Sequence, residues 1–406
     1  MLAAESLALP AGLVLGVLLT RTLGPRDFGL LALSVSLVAW TEAVLLAFLG
    51  RATVRLLATS PGAEQGLLRL TTRLGGAAWL ALALLGLPAA WLTGQPRLAW
   101  TLALLGLEIP LFLLANLHKS ILVARRRDRA RAAATATRWL GRLLLVSLLL
   151  PLGVAGALTG MVLAAALELL VARTAPQPGE PVKLGPALRY VSPWVAATAS
   201  LALVETMGIW VLAANPTASG WYGAAQGATR AGYVVLTLLP VLHAEIAAAL
   251  HSGQGVRARG LARRALALLF LTLPVAALVA WSAPWLVGLL YGPEFAPSAG
   301  LLAWLVFGGC GYVMLDTVHT VLGASGRSRL TLVLTAPLVP LALLGHALAV
   351  PVYGAAGAAM VTALTLLAGA LAGMLVVLGT DLAPAERAVP PSLPAQRPSA
   401  GRGDPP

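Results

Sequence analysis

The sequence predicts an all-α polytopic membrane protein of about 12 transmembrane helices, arranged as two parallel six-helix repeats around a central cavity. Three observations predict it. Apolar stretches near 20 residues recur along the chain, the length a helix needs to cross a bilayer. Twenty-four of the 28 Lys and Arg residues fall in every second gap between those stretches. Short motifs return about 200 residues apart. Composition agrees: 59% of residues are apolar, 11% are charged and the mean hydropathy is +0.86, far from an ordinary soluble domain.

The expected spans are 3–22, 28–50, 74–93, 98–117, 138–153, 154–172, 193–213, 221–244, 265–290, 297–321, 330–350 and 355–379. Pro151 and Gly153 mark a tight turn between the fifth and sixth. Cations follow the second span (Arg51, Arg55, Arg69, Arg73) and the fourth, where the gap runs from Lys119 to Arg142. They recur after the sixth, eighth and tenth spans and in the tail. The other gaps hold only Arg21, Arg26 and Arg97, and Arg230 lies inside a span. Positive residues mark the cytoplasmic side, which puts both termini there. The net charge of +13 then reflects loops facing anionic lipid headgroups. No aromatic and basic stripe on a soluble domain supports nucleic-acid binding. Cys310 is the single cysteine and excludes a disulfide.

The expected organisation is an N-terminal six-helix lobe (1–172), a cytoplasmic linker (173–192), a C-terminal six-helix lobe (193–379) and a disordered cytoplasmic tail (380–406) rich in Pro, Gly and Arg. The halves echo each other. Gly153-Val154-Ala155-Gly156-Ala157 returns as Gly354-Ala355-Ala356-Gly357-Ala358, and His118 returns as His319, both 201 residues later. Phe28-Gly29 has a counterpart in Tyr222-Gly223. The offset contains six spans, so the copies share one orientation. Parallel repeats of this kind belong to secondary transporters with a substrate site between the halves.

A charge near the bilayer centre costs roughly 2.5–3.5 kcal/mol on insertion scales, so it faces a cavity or a partner. Glu42, Glu108, Glu205, Arg230 and Asp316 are such charges. Glu205 and Arg230 lie at similar depth on consecutive antiparallel spans and are expected to pair. Either the pair is structural, or Arg230 binds an anionic substrate while Glu205 holds it. Glu42 and Glu108 either take a coupling cation or proton, pair structurally, or hydrogen-bond Ser, Thr or Trp neighbours. Asp316 and His319 are expected at a solvated inner boundary. Arg21 and Arg26 flank an outer turn and break the positive-inside pattern; an anion site explains them, and so does a salt bridge with Asp27 or simple solvation. Arg51 and Arg55, four apart, share a helix face at the inner surface, where they either meet lipid headgroups or guard the inner mouth of a cavity.

No phosphate-binding Gly-x4-Gly-Lys-Ser/Thr loop, metal-spaced cluster or Gly-x-Ser-x-Gly turn is present. No cofactor, no metal and no enzymatic activity are expected.

Several stretches resemble polysaccharide and O-antigen flippases of the Wzx type, in the multidrug/oligosaccharidyl-lipid/polysaccharide exporter superfamily. They are Thr20-Arg21-Thr22-Leu23-Gly24-Pro25-Arg26-Asp27-Phe28-Gly29, Trp221-Tyr222-Gly223-Ala224-Ala225, Leu290-Tyr291-Gly292-Pro293-Glu294-Phe295-Ala296, and Gly326-Arg327 followed by Tyr353-Gly354-Ala355-Ala356-Gly357-Ala358. The resemblance covers roughly residues 15–375. It implies a two-lobed, twelve-helix protein of the bacterial cytoplasmic membrane. The implied cargo is an undecaprenyl-diphosphate-linked oligosaccharide carried from inner to outer leaflet, with other glycan-assembly membrane proteins as partners. It places Arg21, Arg26, Arg51, Arg55 and Arg230 as candidates for the diphosphate and glycan. Related lipid II flippases have a strongly cationic cavity and usually two further helices, features not evident here. An ion-coupled small-molecule exporter of the same fold is the first alternative, and a membrane-embedded glycan polymerase or ligase the second.

Overall fold

The computed structural model describes residues 7–59, 63–175, 185–230, 233 and 239–379. Their helices trace twelve segments in sequence order. The first long helix, Ala8–Thr59, bends at Gly24 (φ 68°, ψ 173°), giving α1 (8–23) and α2 (25–59). Then follow α3 (Ala63–Thr93), α4 (Arg97–Ala124), α5 (Asp128–Leu149, closed by a 3-10 turn Leu150–Leu152) and α6 (Gly153–Ala172). The second half starts with α7 (Gly185–Val211) and α8, described over Pro216–Arg230 and Leu239–His251. It continues with α9 (Gly255–Tyr291) and α10 (Ser298–Ala324). A last bent rod is described as Ser328–Thr335 and Leu338–Gly379, with its break at Gly354 (φ 56°, ψ −135°); it forms α11 (328–353) and α12 (354–379). The tail beyond 379 and the linker core at 176–184 lie outside the described residues.

Several helices outrun their expected spans. α2 runs nine residues past 50, α3 starts at Ala63 rather than 74, α5 at Asp128 rather than 138, and α7 at Gly185 rather than 193. The reason is physical. Hydropathy marks only the apolar stretch, whereas a helix satisfies its own backbone in water as well as in lipid. The extra turns all lie at one end of the bundle, the end that carries the cations; we call it the basic face. At the far face, Trp91, Trp281 and Trp285 are strongly exposed, as amphipathic rings are at a membrane interface.

The repeat is written into the turns. At the basic face, Arg125 to Arg127 close α4 with backbone bonds to Ile121, Val123 and Leu122; Ser325 to Arg327 close α10 with the same bonds to Val321, Gly323 and Leu322. The left-handed residues of these turns are Arg126 (φ 55°) and Gly326 (φ 75°). At the far face, Gly94 and Gly153 match Gly292 and Gly354, all with positive φ.

The two halves meet at the far face. Gly29 on α2 and Gly220 on α8 lie so close that a Cβ on Gly29 would strike the Pro216 carbonyl, and one on Gly220 the Pro25 carbonyl. Phe28 meets Phe295 edge-on at 5.9 Å. One apolar cluster there joins Leu15, Leu19 and Phe28 to Ile209, Tyr222 and Phe295. Nearer mid-depth, Trp210 Nε1 donates to Ser36 Oγ (2.9 Å) and Trp40 Nε1 to the Ala199 carbonyl (3.2 Å).

Candidate functional site

Glu205 and Arg230 pair as their positions predict. Arg230 Nε donates to Oε1 at 2.9 Å and Nη2 to Oε2 at 3.0 Å, a bidentate fork. Gln226, one turn before Arg230 on the same face of α8, donates from Nε2 to the Glu205 carbonyl (2.8 Å) and Oε1 (3.3 Å). Gln226 escaped the sequence analysis because an uncharged amide does not stand out by cost. The Glu205 carboxylate is buried, but the Arg230 side chain stays 35% exposed. Its Nη1 edge lies outside the fork. Gly308 and Gly309 of α10 keep this region open, and a cavity of about 10 Å³ remains beside Glu205, Thr229 and Tyr233, room for about one water.

Tyr233 stacks on Tyr312 of α10 with ring centroids 4.9 Å apart and planes 8° from parallel. A Cβ on Gly309 would stand 2.6 Å from Thr229 Cγ2 and touch the Tyr233 ring at 3.4 Å, so the missing side chain makes room for Thr229 of α8. Asp316, one turn on from Tyr312, is half-buried and forms no ion pair among the described residues. His319 departs from expectation: it is 1% exposed and packs edge-on against Trp194, because α10 continues past it to Ala324.

The first half holds a different arrangement. Glu108 accepts from Arg138 Nη2 (3.0 Å) and, through both oxygens, from Arg142 Nη2 (2.8 Å each). Glu168 accepts from Lys119 Nζ at 2.6 Å, and its second oxygen is 3.6 Å from Arg138 Nη1. Glu42 Oε2 is 3.9 Å from Arg138 Nη2, and its Oε1 is buried without a hydrogen-bond partner. The Arg138 guanidinium also lies 3.9 Å above the Phe112 ring, a favourable cation–π position. Three carboxylates thus meet three cations on α2, α4, α5 and α6.

This arrangement corrects one expectation and shows pairing for two residues. Lys119, Arg138 and Arg142 are not loop cations, since their side chains are 11–15% exposed. Glu108 is an ion-pair acceptor rather than a partner of Ser, Thr or Trp. Glu42 faces Arg138 rather than such a neighbour. Each cation tolerates burial because a carboxylate on a facing helix neutralises it. Glu168 was missed entirely: a lone Glu in an apolar span carries no sequence cue to its partners.

The outer arginines separate. Arg21 donates from Nε to the Leu290 carbonyl (2.9 Å) and from Nη2 to the Leu289 carbonyl, so it sits on the negative end of α9 and ties the halves together. Of the alternatives for Arg21 and Arg26, the salt bridge with Asp27 is not formed among the described residues; Asp27 pairs with Arg97 at 3.5 Å, because α4 starts beside it. Arg26 lines a 220 Å³ far-face pocket with Asp27, Gln95, Arg97 and Pro216. The helix α2 carries Arg51 and Arg55, whose side-chain placement lies outside the described residues.

The twelve helical segments traced by the described residues, their parallel repeat and a seam closed at one face define a fold shared with solved transporters and a lipid flippase. The chain is similar to an inward-facing multidrug resistance MATE family transporter of the MOP superfamily (TM-score 0.74, 16% identity, covering 92% of this chain and 94% of that one). It is also similar to the lipid II flippase MurJ in an inward closed conformation (TM-score 0.71, 15% identity, 93% and 87%). A third similar structure is a mutant of the Vibrio cholerae MATE transporter VcmN (TM-score 0.60, 16% identity, 93% and 98%). At these identities the likeness establishes the fold. No family model matches the sequence, and no curated protein matches it.

Proposed function

We propose that this protein is a non-enzymatic flippase that carries undecaprenyl-diphosphate-linked oligosaccharide from the inner to the outer leaflet of a bacterial cytoplasmic membrane. The observation that carries the reading is Arg230: a side chain well inside the bundle, its guanidinium aligned by Glu205, that is 35% exposed. One edge of the guanidinium binds the carboxylate. The other edge suits a phosphate oxygen, since Arg makes planar, bidentate contacts with phosphate. Arg230 therefore receives the diphosphate, Glu205 aims it, and the lipid tail stays in the bilayer. The far-face seam at Gly29 and Gly220 opens as the halves rock, while Arg26 and Arg97 offer cations on the exit side.

A second reading has its own observation. Glu205, Arg230 and Asp316 sum to one negative charge beside two tyrosine rings, which suits an organic cation. In that reading the protein is an ion-coupled exporter, with Glu42, whose Oε1 lacks a hydrogen-bond partner, as the coupling carboxylate.

Deletion of the gene, with lipid-linked oligosaccharide scored by leaflet, separates them. Flipping predicts accumulation on the cytoplasmic leaflet, reversed by the wild type but not by Arg230→Ala made at normal levels. Accumulation on the outer leaflet would point to polymerisation or ligation. No accumulation, with new sensitivity to toxic cations, would replace flipping with export.

A further inference from the structure

We infer that Tyr233, Tyr312 and Asp316 form a sugar-binding subsite beside Arg230. This deepens the flippase reading and rests on it. The two rings are stacked on each other at 4.9 Å and 8°, and both side chains are only half-buried. They edge the apolar core of the second half rather than fill it. A tyrosine enclosed in a core finds a partner for its hydroxyl; no described residue bonds to either hydroxyl here. Tyr222 shows the contrast: fully buried, it donates to Thr362 Oγ1 at 3.1 Å.

The chemistry fits a pyranose. Its flat C–H face lies against an aromatic ring, and its rim of hydroxyls needs acceptors and donors. Asp316 lies four residues after Tyr312, on the same face of α10, and makes no ion pair among the described residues. It supplies two acceptor oxygens at the rim of the stacked rings. Arg230 stands next to the same rings and serves the phosphate that joins sugar to lipid. Phosphate and first sugar are covalent neighbours, so their subsites must adjoin, as these do. By the register of the matched closing turns, the first half carries Phe112 and Asn116 at these positions; Phe112 lies under the Arg138 guanidinium and Asn116 is an amide rather than a carboxylate, so the paired rings with an acid belong to one half only.

The test uses the full-length protein in lipid nanodiscs and three probes. They are undecaprenyl diphosphate, the sugar-bearing lipid pool extracted from the deletion strain, and tetraphenylphosphonium as an organic cation. The wild type is expected to bind the sugar-bearing lipid about tenfold more tightly than the bare diphosphate lipid. Tyr312→Ala and Asp316→Asn should remove that difference and leave bare-lipid affinity unchanged. Tyr312→Phe, which keeps the ring, should retain most of it. Arg230→Ala should weaken both lipids. Equal weakening of both lipids by Tyr312→Ala, or no weakening of either, would overturn the sugar subsite and leave the flippase reading standing. Failure of the wild type to bind either lipid would overturn both. Saturable tetraphenylphosphonium binding that Tyr312→Ala and Asp316→Asn abolish would reassign the rings to cation recognition.

Discussion

The two halves share turns and differ in what fills them. At the depth where the first half gathers Glu42, Glu108, Glu168, Lys119, Arg138 and Arg142, the second half packs Leu201, Ile246, Val318, Leu338, Leu366 and Met374. By the register of the matched turns, Glu168 corresponds to Gly369, Arg138 to Leu338, Lys119 to His319 and Arg142 to Ala342. The Gly369 position is crowded by Leu338, whose Cδ1 lies 2.5 Å from where a Cβ would stand. An ion pair in one half is therefore an apolar contact in the other, on matching backbones. One repeat unit accepts either interior, because helix length and turn geometry set the path of the chain while side chains only have to be mutually satisfied. The second half, relieved of the ionic cluster, keeps its own charges for Glu205, Arg230 and Asp316.

The largest expected effect breaks that contrast. Glu168→Leu strands Lys119 and part of Arg138 in a buried place, and should destabilise the solubilised protein by about 3–5 kcal/mol in thermal or denaturant unfolding. The triple replacement Lys119→His, Arg138→Leu and Glu168→Gly installs the second half's residues and should recover at least half of that loss. Failure to recover would mean that the interiors are not interchangeable. A smaller effect tests the seam. Gly29→Val forces a side chain into the Pro216 carbonyl, an overpacking of roughly 1–3 kcal/mol that disfavours the closed far face. A cysteine placed at Thr22 should then react faster with an impermeant maleimide, by about tenfold or more; an unchanged rate would deny the seam its role. The smallest effect concerns the matched turns. Arg126 holds a left-handed conformation that its counterpart Gly326 adopts at little cost. Arg126→Gly should be neutral or stabilising by up to about 1 kcal/mol, and Gly326→Arg destabilising by a similar amount, both read by thermal unfolding.

Much of this architecture was legible beforehand. Apolar stretches located the helices, and Gly153 and Gly354 marked equivalent breaks. The approach of Glu205 to Arg230 followed from two consecutive antiparallel helices. The ends of the helices were not legible, because the basic turns of α3, α5 and α7 continue a helix that hydropathy no longer reports. Nor were the partners of Asp27 and Arg21. Asp27 meets Arg97 across the α1–α2 and α3–α4 turns, and Arg21 reaches carbonyls on α9, 268 and 269 residues away.

By itself the sequence determined that this chain is an all-helical membrane protein built as a repeat, because bilayer thickness, helix rise and turn-forming glycines act locally along the chain. Tertiary structure decided which charges neutralise one another, that Glu168 closes the ionic cluster, that Gly29 and Gly220 cross, and that Tyr233 lies flat on Tyr312. Those outcomes depend on which helices become neighbours, and one apolar helix resembles another until its packed faces are known.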